Sequence, residues 1–212
     1  MVHRSALGLS AAVLALAACP SPALYQTAEP LAPGQWQLGA AAGGTYFKDL
    51  PQQTGLPGAN LEVWARRGVG KELDLGLRLF TVGAEISAKW RFIRGKRDVA
   101  LMPALSALRT NESTLTTEAN HGFASLPLIV SQDLTSDMSI SYGPRVQAGY
   151  YQSTASSAHL SAALGGFIML AYDLGPIVLM PEFDLSRTAL GDVPVDGWTT
   201  HLGLGVSWSF SK

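Results

Sequence analysis

From Gln35 to the end of the chain, oily and polar residues trade places at almost every step, and a period of two fits half-buried β-strands rather than helices. In residues 71–80, Leu73, Leu75, Leu77 and Leu79 interleave with Glu72, Asp74, Gly76 and Arg78. In residues 84–92, Ala84, Ile86, Ala88, Trp90 and Phe92 stand against Glu85, Ser87, Lys89 and Arg91. The closing stretch sets Trp198, Thr200, Leu202, Leu204, Val206, Trp208 and Phe210 on one side. Thr199, His201, Gly203, Gly205, Ser207 and Ser209 fall on the other. Successive strand side chains point to opposite faces, so each segment carries one greasy face and one polar or small face. This part of the chain has no 18-residue apolar run, and so no candidate membrane helix.

Ten such segments can be marked, at 35–47, 59–69, 72–80, 82–93, 98–108, 121–132, 138–151, 158–172, 176–187 and 197–210. The connections alternate in length. Those at 48–58, 109–120, 152–157 and 188–196 are long, and those at 70–71, 94–97, 133–137 and 173–175 are short; only the short link at 80–82 breaks the rule. The pattern predicts an antiparallel up-and-down meander of about ten strands, eight being the alternative count.

Alternation alone does not say which face is inside, but three features favour oily faces turned outward. Aromatic residues of the apolar parity sit near strand ends. Trp36, Trp90, Phe92, Tyr172, Trp208 and Phe210 mark the short-turn end, and Tyr46, Tyr150 and Trp198 the long-loop end. Two belts of amphipathic rings suit two membrane–water interfaces. The segment lengths match a tilted crossing of a hydrocarbon layer. A closed meander also pairs every backbone group, which lipid demands. On these residues the stretch 35–212 resembles a small bacterial outer-membrane β-barrel. The run from Gly203 to Phe210 is similar to the C-terminal strand signal read by that family's insertion machinery, although Ser211 and Lys212 follow the aromatic. The resemblance implies a closed all-β transmembrane barrel with outer-membrane lipids and the insertion machinery as partners. Pro103, Pro127, Pro144 and Pro181 fall inside the segments and predict bulges or slipped registers, because a closed barrel has no edge where a missing N–H goes unused.

The first 34 residues read differently. Residues 1–18 have a basic start and an apolar run from Ala6 to Ala18, as in a signal peptide. The run ends in Leu16-Ala17-Ala18-Cys19, which resembles the lipobox of bacterial lipoproteins. The resemblance implies that Cys19, the only cysteine, is lipidated and becomes the mature N-terminus. Residues 19–34, with Pro20, Pro22, Pro30 and Pro33, lack periodicity and predict a semi-extended tether reaching roughly 45 Å. With the lipid on the periplasmic side, the tether meets the barrel at its short-turn end and the long loops face outward.

The polar parity carries Glu62, Arg66, Glu72, Asp74, Arg78, Glu85, Lys89, Arg91, Arg145, Glu182, Asp184 and His201. Six acids meet five bases and one histidine, so the lumen is expected to be closed by ion pairs, with a narrow conduit for ions or small solutes as the alternative. The formal net charge of −1 excludes the basic excess of a nucleic-acid binder. One cysteine excludes an internal disulfide framework, and no Cys/His spacing suits zinc, so neither cofactor nor metal is expected.

Candidate chemistry is confined to His159 and Ser161, which share a strand face and resemble the His-x-Ser of outer-membrane lipid A deacylases, a hydrolase alternative without an evident orienting acid. His121 is expected in a loop. Asp192 and Asp196 lack the carboxylate density of a calcium loop. The basic turn from Arg94 to Asp98 suits lipid headgroups or plain solvent. The expected function is that of a non-enzymatic envelope scaffold.

Overall fold

The computed structural model describes residues 22–48, 57–80, 82–112, 117–153, 159–191 and 197–211. The strands are β1 (Trp36–Lys48), β2 (Pro57–Gly68), β3 (Leu73–Phe80), β4 (Gly83–Ile93), β5 (Asp98–Leu101), β6 (Ala104–Glu112), β7 (Thr117–Asp133), β8 (Met138–Ser153), β9 (His159–Asp173), β10 (Ile177–Gly191) and β11 (Trp198–Phe210). All pairings are antiparallel between neighbours, and β5 and β6 are two halves of a single crossing, each lying between β4 and β7. The ten crossings close into a barrel because β1 pairs along its whole length with β11, from Trp36 opposite Phe210 to Lys48 opposite Trp198. No edge strand remains to offer unpaired N–H and C=O groups to lipid.

The hydrophobicity is reversed, as the sequence predicts. Leu75, Ile86 and Leu204 are about half exposed on the outer face (48%, 59% and 50%), while Asp74 and Lys89 are sealed inside at 0% and 2%. Of the aromatic set, Tyr46, Trp90, Phe92, Tyr150, Tyr172, Trp198 and Trp208 are exposed on the outer face. Trp36 and Phe210 are half-buried, and they face each other across the closing seam. Trp36 is also covered by the Arg67 guanidinium, 5.5 Å from its ring centroid.

Two expectations change. Strands β6, β7 and β8 run further towards the long-loop end than the alternation indicates, so 109–112 and 117–120 are strand and His121 lies within β7. Beyond the hydrocarbon layer neither face need be oily, so the ladder continues where the periodic signal has faded. The prolines interrupt pairing without slipping it. On either side of Pro103, Ser87↔Ala104 and Trp90↔Leu101 keep one register. Pro127 and Pro144 border the same unpaired step of the β7–β8 ladder, and Pro181 borders a gap on the β9 side while remaining paired with Leu204. An antiparallel residue's N–H serves only one neighbour, so Pro127, Pro144 and Pro181 each keep their pairing on one side, whereas at Pro103 the ladder lapses on both. The register shifts lie instead between Arg91 and Ile93 and between Thr188 and Leu190.

A charge aimed at acyl chains tests this orientation. Leu204→Lys, near the middle of β11, should lower the unfolding free energy in lipid vesicles by about 2–4 kcal/mol, whereas Leu174→Lys in a short turn should cost about 0–1 kcal/mol. Urea titrations followed by heat-modifiable gel migration measure both.

Candidate functional site

The lumen is where the polar parity converges, and it is occupied. The segment that its prolines mark as a tether folds into the barrel. It turns away from the wall at the short-turn end, where Gly34 donates to the Gly68 carbonyl (2.8 Å), and runs inward until Pro22 meets Arg145. Ala23, Tyr25 and Ala28 are 0–1% exposed.

Wall charges hold this segment mainly through its backbone. The Glu182 carboxylate accepts from the Leu24 and Tyr25 N–H groups, each at 2.6 Å. Arg145 donates to the Pro22 carbonyl and Arg78 to that of Ala23. Lys89 Nζ donates to the Thr27 carbonyl (3.0 Å) and the Glu29 carbonyl (2.8 Å), Ser131 Oγ accepts from Ala28 N–H (2.7 Å), and Asp74 accepts from Leu31 N–H (3.2 Å). A backbone without a strand partner must find such partners when buried.

The same side chains pair with one another. Asp74 bridges Arg66 and Lys89, Arg78 lies between Glu62 (3.2 Å) and Glu85 (2.8 Å), and Arg145 meets Asp184 at 3.0 Å. Arg91 joins Glu72 (2.7 Å) and Asp98 (2.6 Å) at the short-turn rim. Every charge the sequence assigned to the lumen is therefore turned inward. At the mouth the Glu72 side chain is 38% exposed and is shared between Arg91 and Arg94. Removing one member of such a cluster strands a buried charge, so the network is self-enforcing.

Apolar contacts complete the fit. Tyr25 stacks on Trp64 with centroids 5.6 Å apart and planes 7° from parallel, and its hydroxyl reaches His201 Nε2 at 3.3 Å. A side chain at Gly203 or Gly205 would collide with Tyr25, and one at Gly39 with Trp64, so these glycines leave the room that the stack fills. Leu24 and Ala28 pack on Ala100, Met102, Ile129 and Phe167, while Ala23 and Tyr25 join Ala41, Trp64, Met169, Ala171 and Met180. Trp64 is the functional residue that sequence reasoning missed. Its signal is an aromatic on the charged parity, between Glu62 and Arg66.

Other candidates separate. His159 and Ser161 lie on the same face of β9, with Ser161 half-buried; of the His159 side chain the structure describes nothing. Ser161 pairs with Gly191, whereas Asp184 and Glu182 pair with Phe167 and Met169. Their partners on β9 lie eight and ten residues beyond His159, roughly 26–33 Å away, so neither acid can orient that histidine. His201 instead accepts or donates within a buried set, 3.0 Å from Thr45 Oγ1 and 3.3 Å from Asn60 Nδ2. Among the described residues, no cluster of His, Cys, Asp or Glu could hold a metal ion. Cys19, Asp192 and Asp196 lie outside the described residues. The basic turn holds itself together, with Asp98 accepting from Gly95 N–H and Arg97 donating to Gln132.

No family model and no curated protein sequence matches the chain. Solved structures do. The outer membrane protease OmpT of Escherichia coli is similar at 8% identity over 87% of this chain and 100% of that one, with a TM-score of 0.52. Neisserial surface protein A is matched at 16% identity over 84% of this chain and 97% of that one, TM-score 0.47. Ail, the attachment invasion locus protein of Yersinia pestis, is matched at 13% identity over 84% of this chain and 100% of that one, TM-score 0.45. Closed ladder, outward oil and inward charge define the class: a bacterial outer-membrane β-barrel fold.

Glu182→Gln would keep an acceptor but lose the charge that binds two N–H groups. It should weaken docking of residues 22–34 by about 1.5–3 kcal/mol, near 10- to 100-fold, read as faster amide exchange at Leu24 and Tyr25 in a barrel that still migrates as folded.

Proposed function

We propose that the protein is a non-enzymatic outer-membrane scaffold, anchored by a lipid on Cys19 and closed to solutes whenever its own N-terminal segment is docked. The observation that carries this reading is the filled lumen: a buried peptide and buried ion pairs lie where a conduit would run. Catalysis is disfavoured by the separation of Asp184 and Glu182 from Ser161. The barrels of similar fold include a protease as well as surface and attachment proteins, so fold alone does not decide function.

Docking and a periplasmic anchor exclude each other. Cys19 is three residues from Pro22, a reach of at most ~10 Å. Pro22 is held by Arg145, seven residues above the lower end of β8, which is roughly 17 Å of depth on a strand tilted by about 40°. A lipid in the inner leaflet therefore draws residues 22–34 out of the lumen, and the anchored form is the open one. The narrow-pore alternative belongs to that undocked state.

The test compares wild type with Cys19→Ala in native membranes. Residues 22–34 should be cut by added protease several-fold faster in the lipidated wild type, and Cys19→Ala should resist carbonate extraction and give silent planar bilayers. Equal protection of both forms, or steady conductance from Cys19→Ala, would overturn the proposal. Unchanged lipid species after His159→Ala or Ser161→Ala is the expected result for a barrel without hydrolase activity.

A further inference from the structure

We infer that the lumen is a binding site for an extended peptide, read through its backbone and selected by one tyrosine, with residues 22–34 as the occupant supplied in cis. This deepens the docked state proposed above and rests on it, but it needs no lipid.

Between Pro22 and Leu31 eight main-chain groups are bound by the barrel wall: the carbonyls of Pro22, Ala23, Thr27 and Glu29, and the N–H groups of Leu24, Tyr25, Ala28 and Leu31. Cations on the wall meet carbonyls, and acids or a hydroxyl meet N–H groups. Such contacts hold a chain with little regard to its side chains. Beside these polar groups the wall also carries apolar ones: Ala100, Met102 and Ile129 pack with Leu24 and Ala28, and Met169 and Met180 with Ala23 and Tyr25. In a lumen filled only with water these side chains would be wetted, and burying them is favourable. The wall is therefore built for an occupant and not merely tolerant of one.

Selectivity resides at Tyr25. Trp64 stacks on one face, Gly203 and Gly205 leave room only for a flat ring, and His201 meets the hydroxyl. Tyr25 also adopts a left-handed backbone (φ 47°), a conformation that L residues other than glycine enter only when their surroundings hold them there. By contrast, the Glu29 side chain is 74% exposed and touches the wall only at the limit of contact, 4.0 Å from Arg91, so it can change with little loss, while buried Gln26 adds one contact, 3.3 Å to Lys89.

The experiment uses the full-length chain with residues 22–33 replaced by Gly/Ser of equal length, folded in detergent micelles and verified by heat-modifiable migration. A fluorescein-labelled synthetic peptide of residues 22–34 is titrated in and read by anisotropy. It should bind saturably, one per barrel, and the same peptide with Glu29→Ala should bind within about threefold. The Tyr25→Ala peptide should bind at least tenfold more weakly, and the unlipidated Cys19→Ala protein, already occupied, should bind far less labelled peptide. If the replaced chain does not fold, the full-length Tyr25→Ala protein takes its place, because its weakened segment should be displaced by added wild-type peptide. No saturable binding to a folded, vacant barrel, or equal affinity of the Tyr25→Ala peptide, would overturn the inference. Either result would leave the closed, non-enzymatic barrel untouched, since that reading is judged by conductance and lipid analysis.

Discussion

Backbone closure in lipid is the constraint on which everything else rests. Thirteen register pairs join β1 to β11 and remove the only free edges that a meander of this length would present. Once the ladder is closed, the side chains have two destinations and the alternation decides between them. Most leucines, isoleucines and aromatic rings go to the acyl chains, and charges go to the enclosed interior. The ion-pair clusters around Asp74, Arg78 and Arg145 are consequences of that enclosure.

The enclosed charges have a second use, because several of them also bind the docked segment. Glu182 spends its carboxylate on two N–H groups of the docked segment, and Lys89 gives protons to two of its carbonyls while leaning on Asp74. An interior that nearly balances its formal charge while its donors and acceptors also bind the segment's main chain is what the proposed backbone recognition rests on.

Strand parity, the ten crossings, the outward aromatic belts and the inward set of charges were all legible in the sequence, because a period of two is a local signal that survives without tertiary context. The destination of residues 22–34 was not. Their prolines say only that the segment joins no ladder, and nothing local distinguishes a peptide in solvent from one inside a barrel. The missing clue lay on the barrel side, in apolar residues of the inward parity such as Trp64, Met102, Ile129, Met169 and Met180, which would be misplaced in a lumen of charges and water. The upper ends of β6, β7 and β8 were hidden for a different reason, since strands outside the hydrocarbon layer need no oily face. The prolines misled because ladder gaps and register shifts are different events, and only the second moves side chains to the other face.

Quenching by brominated acyl chains tests the inside-out arrangement most directly, using variants that each retain one of Trp64, Trp90 and Trp208, the other tryptophans being replaced by phenylalanine. Trp90 and Trp208, exposed on the outer face, should lose much of their fluorescence in brominated vesicles, while Trp64, 6% exposed and stacked on Tyr25, should keep nearly all of its own. Strong quenching of Trp64 together with unaffected emission from Trp90 and Trp208 would contradict the account.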